Sequence, residues 1–183
     1  MEHLPVQQIY DRRFKADIEF RDEMWKVLCR HYFQKFVPAN ATVMEVAAGY
    51  CEFINNISAG KKIAIDINSD TKERANSDVE VVITSSTDLT MIAEDSIDVI
   101  FISNFFEHLT KEDITLTTKE CYRCLKPGGK LLILQPNIRY TYKDYWMFYD
   151  HITAIDDRAL SELLEVTGCL LYTSPSPRDS IAS

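Results

Sequence analysis

Val43-Met44-Glu45-Val46-Ala47-Ala48-Gly49-Tyr50-Cys51 sets a short apolar run directly before a turn of small residues. The run at 42–46 reads as a buried strand, and 52–57 as the helix that follows the turn. A small-residue turn between a first strand and its helix lets a ligand come close to the backbone. Glu45, the acid in front of it, can accept from a cationic amine. Outward from this stretch, 62–67 forms a second strand with Asp66 near its end, 21 residues after Glu45. A carboxylate there can take both ribose hydroxyls of a nucleoside. Either feature alone also fits a plain turn or a strand-end Asp capping a helix. Both together, in this order, favour nucleoside binding.

The rest of the chain continues the alternation. Strands are expected at 79–83, at 97–103 and at 130–135. The stretch 97–103 is almost wholly apolar, as in a strand covered on both faces. Lys126-Pro127-Gly128-Gly129 reads as a sharp turn ahead of the last strand. Phe20, Met24, Val27, Leu28, Tyr32 and Phe36 recur at helical spacing and mark an amphipathic helix closed by Pro38 and Asn40. Further helices are expected at 111–125 and at 157–167, the latter ended by Gly168. Strands alternating with helices imply right-handed crossovers. The fold class is therefore α/β, a Rossmann-like doubly wound and mostly parallel sheet. The aromatic stretch 140–149 is a long connection, suited to a pocket wall.

Composition narrows the function. The chain has 183 residues, 46% of them apolar, enough for one domain with a proper core. Its 28 acidic and 20 basic side chains give a net charge of -8. Binding nucleic acid through phosphates needs a basic face, so that partner is excluded as the main one. The acidic balance also opposes adsorption to anionic membrane. No apolar run approaches the ~18 residues of a spanning helix, and residues 1–17 lack the apolar core of a signal peptide. The expected location is the cytoplasm. Five cysteines, Cys29, Cys51, Cys121, Cys124 and Cys169, show no secreted-type framework. Cys121 and Cys124 lack the second pair that a zinc site wants. They read as plain helix residues, and no metal ligands are assigned.

At this point the sequence resembles the class I S-adenosylmethionine-dependent methyltransferases. Glu45-Val46-Ala47-Ala48-Gly49 looks like the family's first motif, and Ala64-Ile65-Asp66-Ile67 like its second. Ser103-Asn104-Phe105-Phe106-Glu107-His108-Leu109 resembles the segment after its fourth strand. Leu125-Lys126-Pro127-Gly128-Gly129-Lys130 is similar to its turn before the fifth. The resemblance covers residues 40–168. It implies S-adenosyl-L-methionine as cofactor, with Glu45 and the backbone at Ala47 and Gly49 holding the methionine part. Asp66 would bind the ribose, Ile67 would pack on the adenine, and Ser85 and Ser86 would face the adenine edge. Asn104 would line the methionine end through its backbone. Two departures stand out. Ala47 and Cys51 occupy places where the family has glycine, which matters if the backbone there takes positive φ. Ser85 stands where the family often has Asp.

The implied reaction is an in-line displacement at a sulfonium methyl, in which the enzyme mainly positions and desolvates. An oxygen acceptor also needs a base, and His108 and His151 are the candidates. Tyr145, Trp146, Phe148 and Tyr149 form a candidate acceptor wall, or else simply cover the end of the sheet. His151 is expected to lie nearer the transferred methyl than His108. The acceptor class is a small molecule, a sugar or a lipid-linked intermediate, and the pattern resembles methyltransferases of bacterial surface-glycan pathways. The rivals are a non-catalytic cofactor-binding module and a nicotinamide-dependent dehydrogenase. The latter's Gly-x-Gly-x-x-Gly would fall on Ala47, Gly49 and Glu52, where the third glycine fails.

Three regions follow: an N-terminal helical cap or lid at 1–39, to which Tyr10 would belong; an incomplete cofactor-binding domain at 40–168; and a non-native tail at 169–183. The tail begins Cys169-Leu170-Leu171-Tyr172-Thr173-Ser174-Pro175-Ser176-Pro177-Arg178-Asp179, which resembles one reading frame of a transposase sequencing adapter. The natural sequence is then expected to end near Gly168, with five of the family's seven strands present and the fifth lacking its usual neighbour.

Overall fold

The computed structural model describes residues 18–169. Tyr10 and nearly all of the adapter-like tail lie outside that range. Five strands, β1 (Thr42–Val46), β2 (Lys61–Asp66), β3 (Val79–Ile83), β4 (Ile97–Ser103) and β5 (Leu125–Leu134), form one sheet in the order β3-β2-β1-β4-β5. Every pairing is parallel. The chain runs outward from β1 to β3, returns to the centre at β4, and leaves the other way to β5. The β1/β4 boundary is thus the point where strand order reverses.

Each strand sends alternate residues into two cores. On one face, Met44, Val46, Ile63, Ile65, Ile100 and Ile102 pack with Ile114 and Cys121 of α4 (Lys111–Cys124) and with Leu160 and Leu163 of α6 (Asp157–Val166). On the other, Val43, Ala64, Val99 and Phe101 meet Trp25 and Cys29 of α1 (Ile18–His31) and Phe53 and Ile54 of α2 (Glu52–Asn56). The rings of Phe101 and Phe53 stack with centroids 3.8 Å apart, and Phe33 meets Phe101 edge-on at 5.0 Å. Burying side chains of this size contributes about 1.5–3 kcal/mol each. The described part of the expected cap region is therefore a layer of the sandwich. Arg21 fastens α1 to the start of α2 through both oxygens of Glu52, at 2.7 and 2.5 Å.

Several boundaries differ from the sequence expectation. The first helix stops at His31, and Phe33–Phe36 is a separate 3-10 turn, because Tyr32 leaves helical geometry at φ -120°. Two short helices, α3 (Thr71–Arg74) and α5 (Ile138–Thr141), had no periodicity to reveal them. Lys126-Pro127-Gly128-Gly129 is a bulge inside the β4–β5 ladder. Pairing passes from Ile97↔Leu125 to Val99↔Lys130, so four residues of β5 stand opposite Asp98 alone. Glycine is required twice there. Gly128 has φ +79°, and a Cβ on Gly129 would come within 2.9 Å of the Lys126 carbonyl. Asp98 secures the bulge by accepting from Lys126 Nζ at 2.8 Å and from the Thr42 amide at 2.8 Å.

Among the described residues β5 is a sheet edge. Its Leu131, Leu132 and Ile133 are only half-buried, and Leu134 is exposed, whereas Ile100, Phe101 and Ile102 of β4 are fully buried. Cys121 and Cys124 lie on α4, both free and buried, as plain helix residues. Burial pushes both thiols up. No helix among the described residues is long and apolar enough to cross a membrane.

Candidate active site

The parallel register brings the carboxyl ends of the strands to one rim. Val46 pairs with Ile65 and Ile102, Asp66 with Ile83, and Ser103 with Leu134. All the cofactor-binding residues expected from sequence lie on this rim or just past it.

The turn after β1 is built on left-handed backbone at alternate residues: Ala47 at φ 58°, Gly49 at φ 51° and Cys51 at φ 59°. These are the places where the related motif carries glycine. The chain keeps the glycine geometry without two of the glycines. A left-handed L-residue costs roughly 1–2 kcal/mol, so surrounding contacts must hold the turn. The Ala48 amide donates to the Ile65 carbonyl at 3.0 Å, and the Cys51 amide to the Ala48 carbonyl at 2.7 Å. Cys51 is completely buried, its side chain against the Thr71 carbonyl at 3.8 Å. Burial raises its thiol to about 12.

Asp66 joins this turn to the next loop. One carboxylate oxygen accepts from the Gly49 amide at 2.7 Å, and the other from the Asn68 amide at 2.8 Å. Ile67, beside it, exposes 61% of its surface at the rim. Glu45 lies deeper, 4% exposed, on the face of the sheet that carries α2, and accepts from the Ile54 amide at 2.9 Å. Burial holds its carboxyl well above the usual range, against the lowering effect of that amide, and nearby Glu52 and Asp66 add to the rise.

After β3 the two serines part company. Ser85 bonds Thr87 locally at 2.8 Å. The Ser86 hydroxyl is buried against Thr117 of α4, also at 2.8 Å, which leaves its side chain directed away from the rim. Asn104 is exposed just past β4 with φ 46°, and its amide donates to the Leu134 carbonyl at 2.8 Å.

A second cluster assembles beyond β4 and β5. Glu107 and His108 lie on the 3-10 turn Phe106–His108, and the segment after a second such turn, Tyr145–Met147, brings His151 to them. The Glu107 carbonyl accepts from the amides of Ile152 and Thr153 at 2.8 and 3.1 Å, which stitches the two segments together. The rings of His108 and His151 meet edge-on at 5.0 Å. His108 Nδ1 lies 3.0 Å from the Asp150 carbonyl and 3.3 Å from its carboxylate. His151 Nδ1 is buried without a hydrogen bond of good geometry, and the Tyr145 backbone lies against the ring. Burial, followed by the nearby His108, lowers the His151 pKa. Glu107 is 1% exposed, and one of its oxygens accepts from Gln135 Nε2 at 2.6 Å.

The two expected catalytic histidines are thus brought together. The aromatic wall divides: Tyr145 is buried and gives its hydroxyl to the Thr153 carbonyl, Phe148 lies against His151, and Trp146 and Tyr149 are exposed. Glu107, Gln135 and Asp150 received no role from the sequence. The available signal was Glu107 itself, an acid among apolar residues directly after a buried strand, where burial demands partners.

Residues 44–133 match a family described as a methyltransferase domain. No curated protein matches the chain. Among solved structures, a SAM-dependent methyltransferase from Archaeoglobus fulgidus is similar with a TM-score of 0.72 and 24% identity, over 85% of this chain and 73% of that one. A SAM-dependent methyltransferase from Thermotoga maritima, described as a possible histamine N-methyltransferase, reaches 0.70 at 19% identity, over 88% and 80%. A geranyl diphosphate methyltransferase in complex with SAM reaches 0.62 at 14% identity, over 86% and 69%.

Two outcomes test the geometry of the turn. Ala47→Gly relieves left-handed strain at the expense of a looser unfolded chain, and should stabilise the protein by roughly 0.5–1 kcal/mol. Urea unfolding with no gain in midpoint would contradict the φ assigned to Ala47. Glu45→Gln keeps an acceptor for the Ile54 amide and removes the ionisation. The folded protein holds the Glu45 proton to higher pH than the unfolded chain does. The favourable contribution is therefore complete below about pH 4.3 and is lost as pH rises through the raised folded value. Relative to Glu45→Gln, the wild type should lose stability as pH rises, and the two should converge in acid; parallel pH curves would sink the assignment.

Proposed function

We propose that this chain is a class I S-adenosylmethionine-dependent methyltransferase, supported by its methyltransferase-domain match and fold, and transfers the cofactor's methyl group to a small-molecule acceptor, a sugar or lipid-linked head group included. In this reading S-adenosylmethionine is the cofactor, the ligand held by the similarly folded geranyl diphosphate methyltransferase. The single observation that carries the reading is Asp66 at the carboxyl end of β2, held on the Gly49 amide of the β1 turn. An acid and a close-approach backbone thus stand side by side at the ends of β2 and β1, next to the β1/β4 boundary where strand order reverses.

In this reading the Asp66 carboxylate takes the ribose hydroxyls. A carboxylate offers about four lone-pair sites, so its two amide partners leave capacity for them. The exposed Ile67 gives the adenine an apolar face, and Ser85, with the backbone of Ser86, borders its edge. The left-handed turn lets the backbone at Ala47 and Gly49 approach the methionine part. Glu45 lies beneath that turn, where an arriving ammonium would favour its ionised form. Asn104 lines the methionine end through its backbone. The acceptor is handled by the His108–His151 pair, with His151 nearer the transferred methyl. Phe148 and the exposed Trp146 border the acceptor's entry. Holding the acceptor atom in line with the methyl supplies most of the acceleration.

Calorimetry with S-adenosylhomocysteine should show Asp66→Ala weakening binding by roughly 10- to 100-fold, since charge-assisted hydrogen bonds contribute about 1.5–3 kcal/mol each. Asp66→Asn, which keeps a side-chain acceptor, should fall between; equal affinity for all three rejects the ribose role. In an acceptor screen read by S-adenosylhomocysteine release, His151→Ala should lower turnover more than His108→Ala. The reverse order would exchange their roles.

A further inference from the structure

We propose that Glu107, His108 and His151 form a binding site for a divalent transition-metal cation at the acceptor side of the rim. Three ligand atoms, a carboxylate oxygen of Glu107 and one ring nitrogen from each histidine, all lie within 4.8 Å of one another. Two imidazoles and a carboxylate are a donor set for Zn²⁺, Fe²⁺, Mn²⁺ or Co²⁺, not for an alkali or alkaline-earth ion, which prefers oxygen alone.

The surroundings of each ligand fit that use. A metal-binding histidine normally gives its other ring nitrogen to a carbonyl or carboxylate, which fixes the ring. His108 has this arrangement: Nδ1 faces the Asp150 carbonyl at 3.0 Å and carboxylate at 3.3 Å, while Nε2 lies 3.8 Å from Glu107 Oε1. The second oxygen of Glu107 is held by Gln135 at 2.6 Å, which aims the first toward the histidines. His151 Nδ1 is buried without a hydrogen bond of good geometry, and so is Gln135 Oε1. Buried polar atoms without partners are costly. A cation that His151 ligates through Nδ1 would satisfy that nitrogen directly.

Donors about 2.0–2.2 Å from a tetrahedral ion stand roughly 3.3–3.6 Å apart. The cluster closes on an ion by side-chain movements of about 1 Å. The backbone is already fixed by the amides of Ile152 and Thr153 on the Glu107 carbonyl and by Thr153 Oγ1 on the Leu109 carbonyl at 2.5 Å. Three protein ligands leave at least one position open, as at catalytic metal sites. An acceptor hydroxyl in that position would have its pKa lowered by the cation and give its proton to solvent; its oxygen would then bond the methyl as the methyl–sulfur bond breaks, leaving S-adenosylhomocysteine. This deepens the acceptor role proposed above for the two histidines and rests on it for its function, but not for its existence.

The test is metal binding by the full chain, without cofactor. After chelation and dialysis, titration with Zn²⁺, and with Co²⁺ as a spectroscopic reporter, should give one ion per chain. His151→Ala and His108→Ala should each weaken binding by at least about 10- to 100-fold. Because Glu107 is buried, Glu107→Gln is read together with its thermal unfolding, and the two histidine variants decide the outcome. A Cys121→Ser, Cys124→Ser variant should bind as tightly as the wild type. Unchanged affinity in both histidine variants, or loss in the cysteine variant, overturns the site. S-adenosylhomocysteine affinity, measured in parallel, should be unaffected by His151→Ala. A failed metal titration with intact cofactor binding rejects the site alone, whereas loss of cofactor binding in the wild type rejects the methyltransferase reading.

Discussion

Asp66 holds two loops at once, and the rest of the rim is arranged around that bond. Its carboxylate takes the Gly49 amide from the β1 turn and the Asn68 amide from the loop after β2. The Gly49 amide is available because the backbone at Ala47, Gly49 and Cys51 is left-handed. A right-handed turn would carry the chain toward α2 without presenting that amide to the neighbouring strand. The turn is short on glycine, so what stabilises it is tertiary: the Ile65 carbonyl beneath it, the buried Cys51 behind it, and Asp66 beside it.

The central strands impose the same logic on Glu45. Alternation sends Val43 and Glu45 to the face that carries α2, while Met44 and Val46 enter the opposite core. A carboxyl on a buried strand has few ways to be tolerated. Here the Ile54 amide, in the first turn of α2, supplies a partner. Glu45 therefore positions α2 against the sheet whatever it does toward a ligand. Burial, and then the neighbouring Glu52 and Asp66, shift its carboxyl toward the neutral form.

The sheet and the bounds of β1, β3 and β4 were readable because they depend on local signals, whereas β5 starts at Leu125, ahead of the expected 130. Val79–Ile83 and Ile97–Ser103 fall where apolar runs place them, and Asp66 sits at a strand end as its spacing indicates. What was not readable depends on contacts distant in sequence or on backbone angles that residue type does not disclose. Neither alanine nor cysteine prefers positive φ, so residue type does not announce it at Ala47 or Cys51; only the resemblance to a glycine-bearing motif pointed there. The Ser86 hydroxyl turns inward only because Thr117 of α4 lies 31 positions away in sequence and 2.8 Å away in space. Tyr145 reads as one more aromatic of a wall until the Thr153 carbonyl is seen to receive its hydroxyl. Glu107 and His151 belong to segments 44 residues apart, joined by amide bonds that no periodicity encodes.

The division of labour along the rim follows from topology. The residues proposed for the cofactor, Glu45, Ala47, Gly49, Asp66, Ile67, Ser85 and Ser86, with Asn104 the exception, come from the ends of β1, β2 and β3, the half of the sheet wound in one direction. Glu107, His108, Gln135 and His151 follow β4 and β5, the half wound in the other. Where the winding reverses, the connections after β1 and β4 leave toward opposite sides, and the strand ends between them stay uncovered by either. Asn104 stands at this boundary. Its left-handed backbone and its amide bond to the Leu134 carbonyl turn the chain from β4 toward the histidine cluster. On the proposed reading, a methyl carried by a ligand seated on the β1–β3 side faces the β4–β5 side, the two halves meeting at neighbouring strands about 4.8 Å apart. On that short span the cofactor half can stay rigid, and acceptor chemistry can change through the β4 and β5 connections without disturbing it.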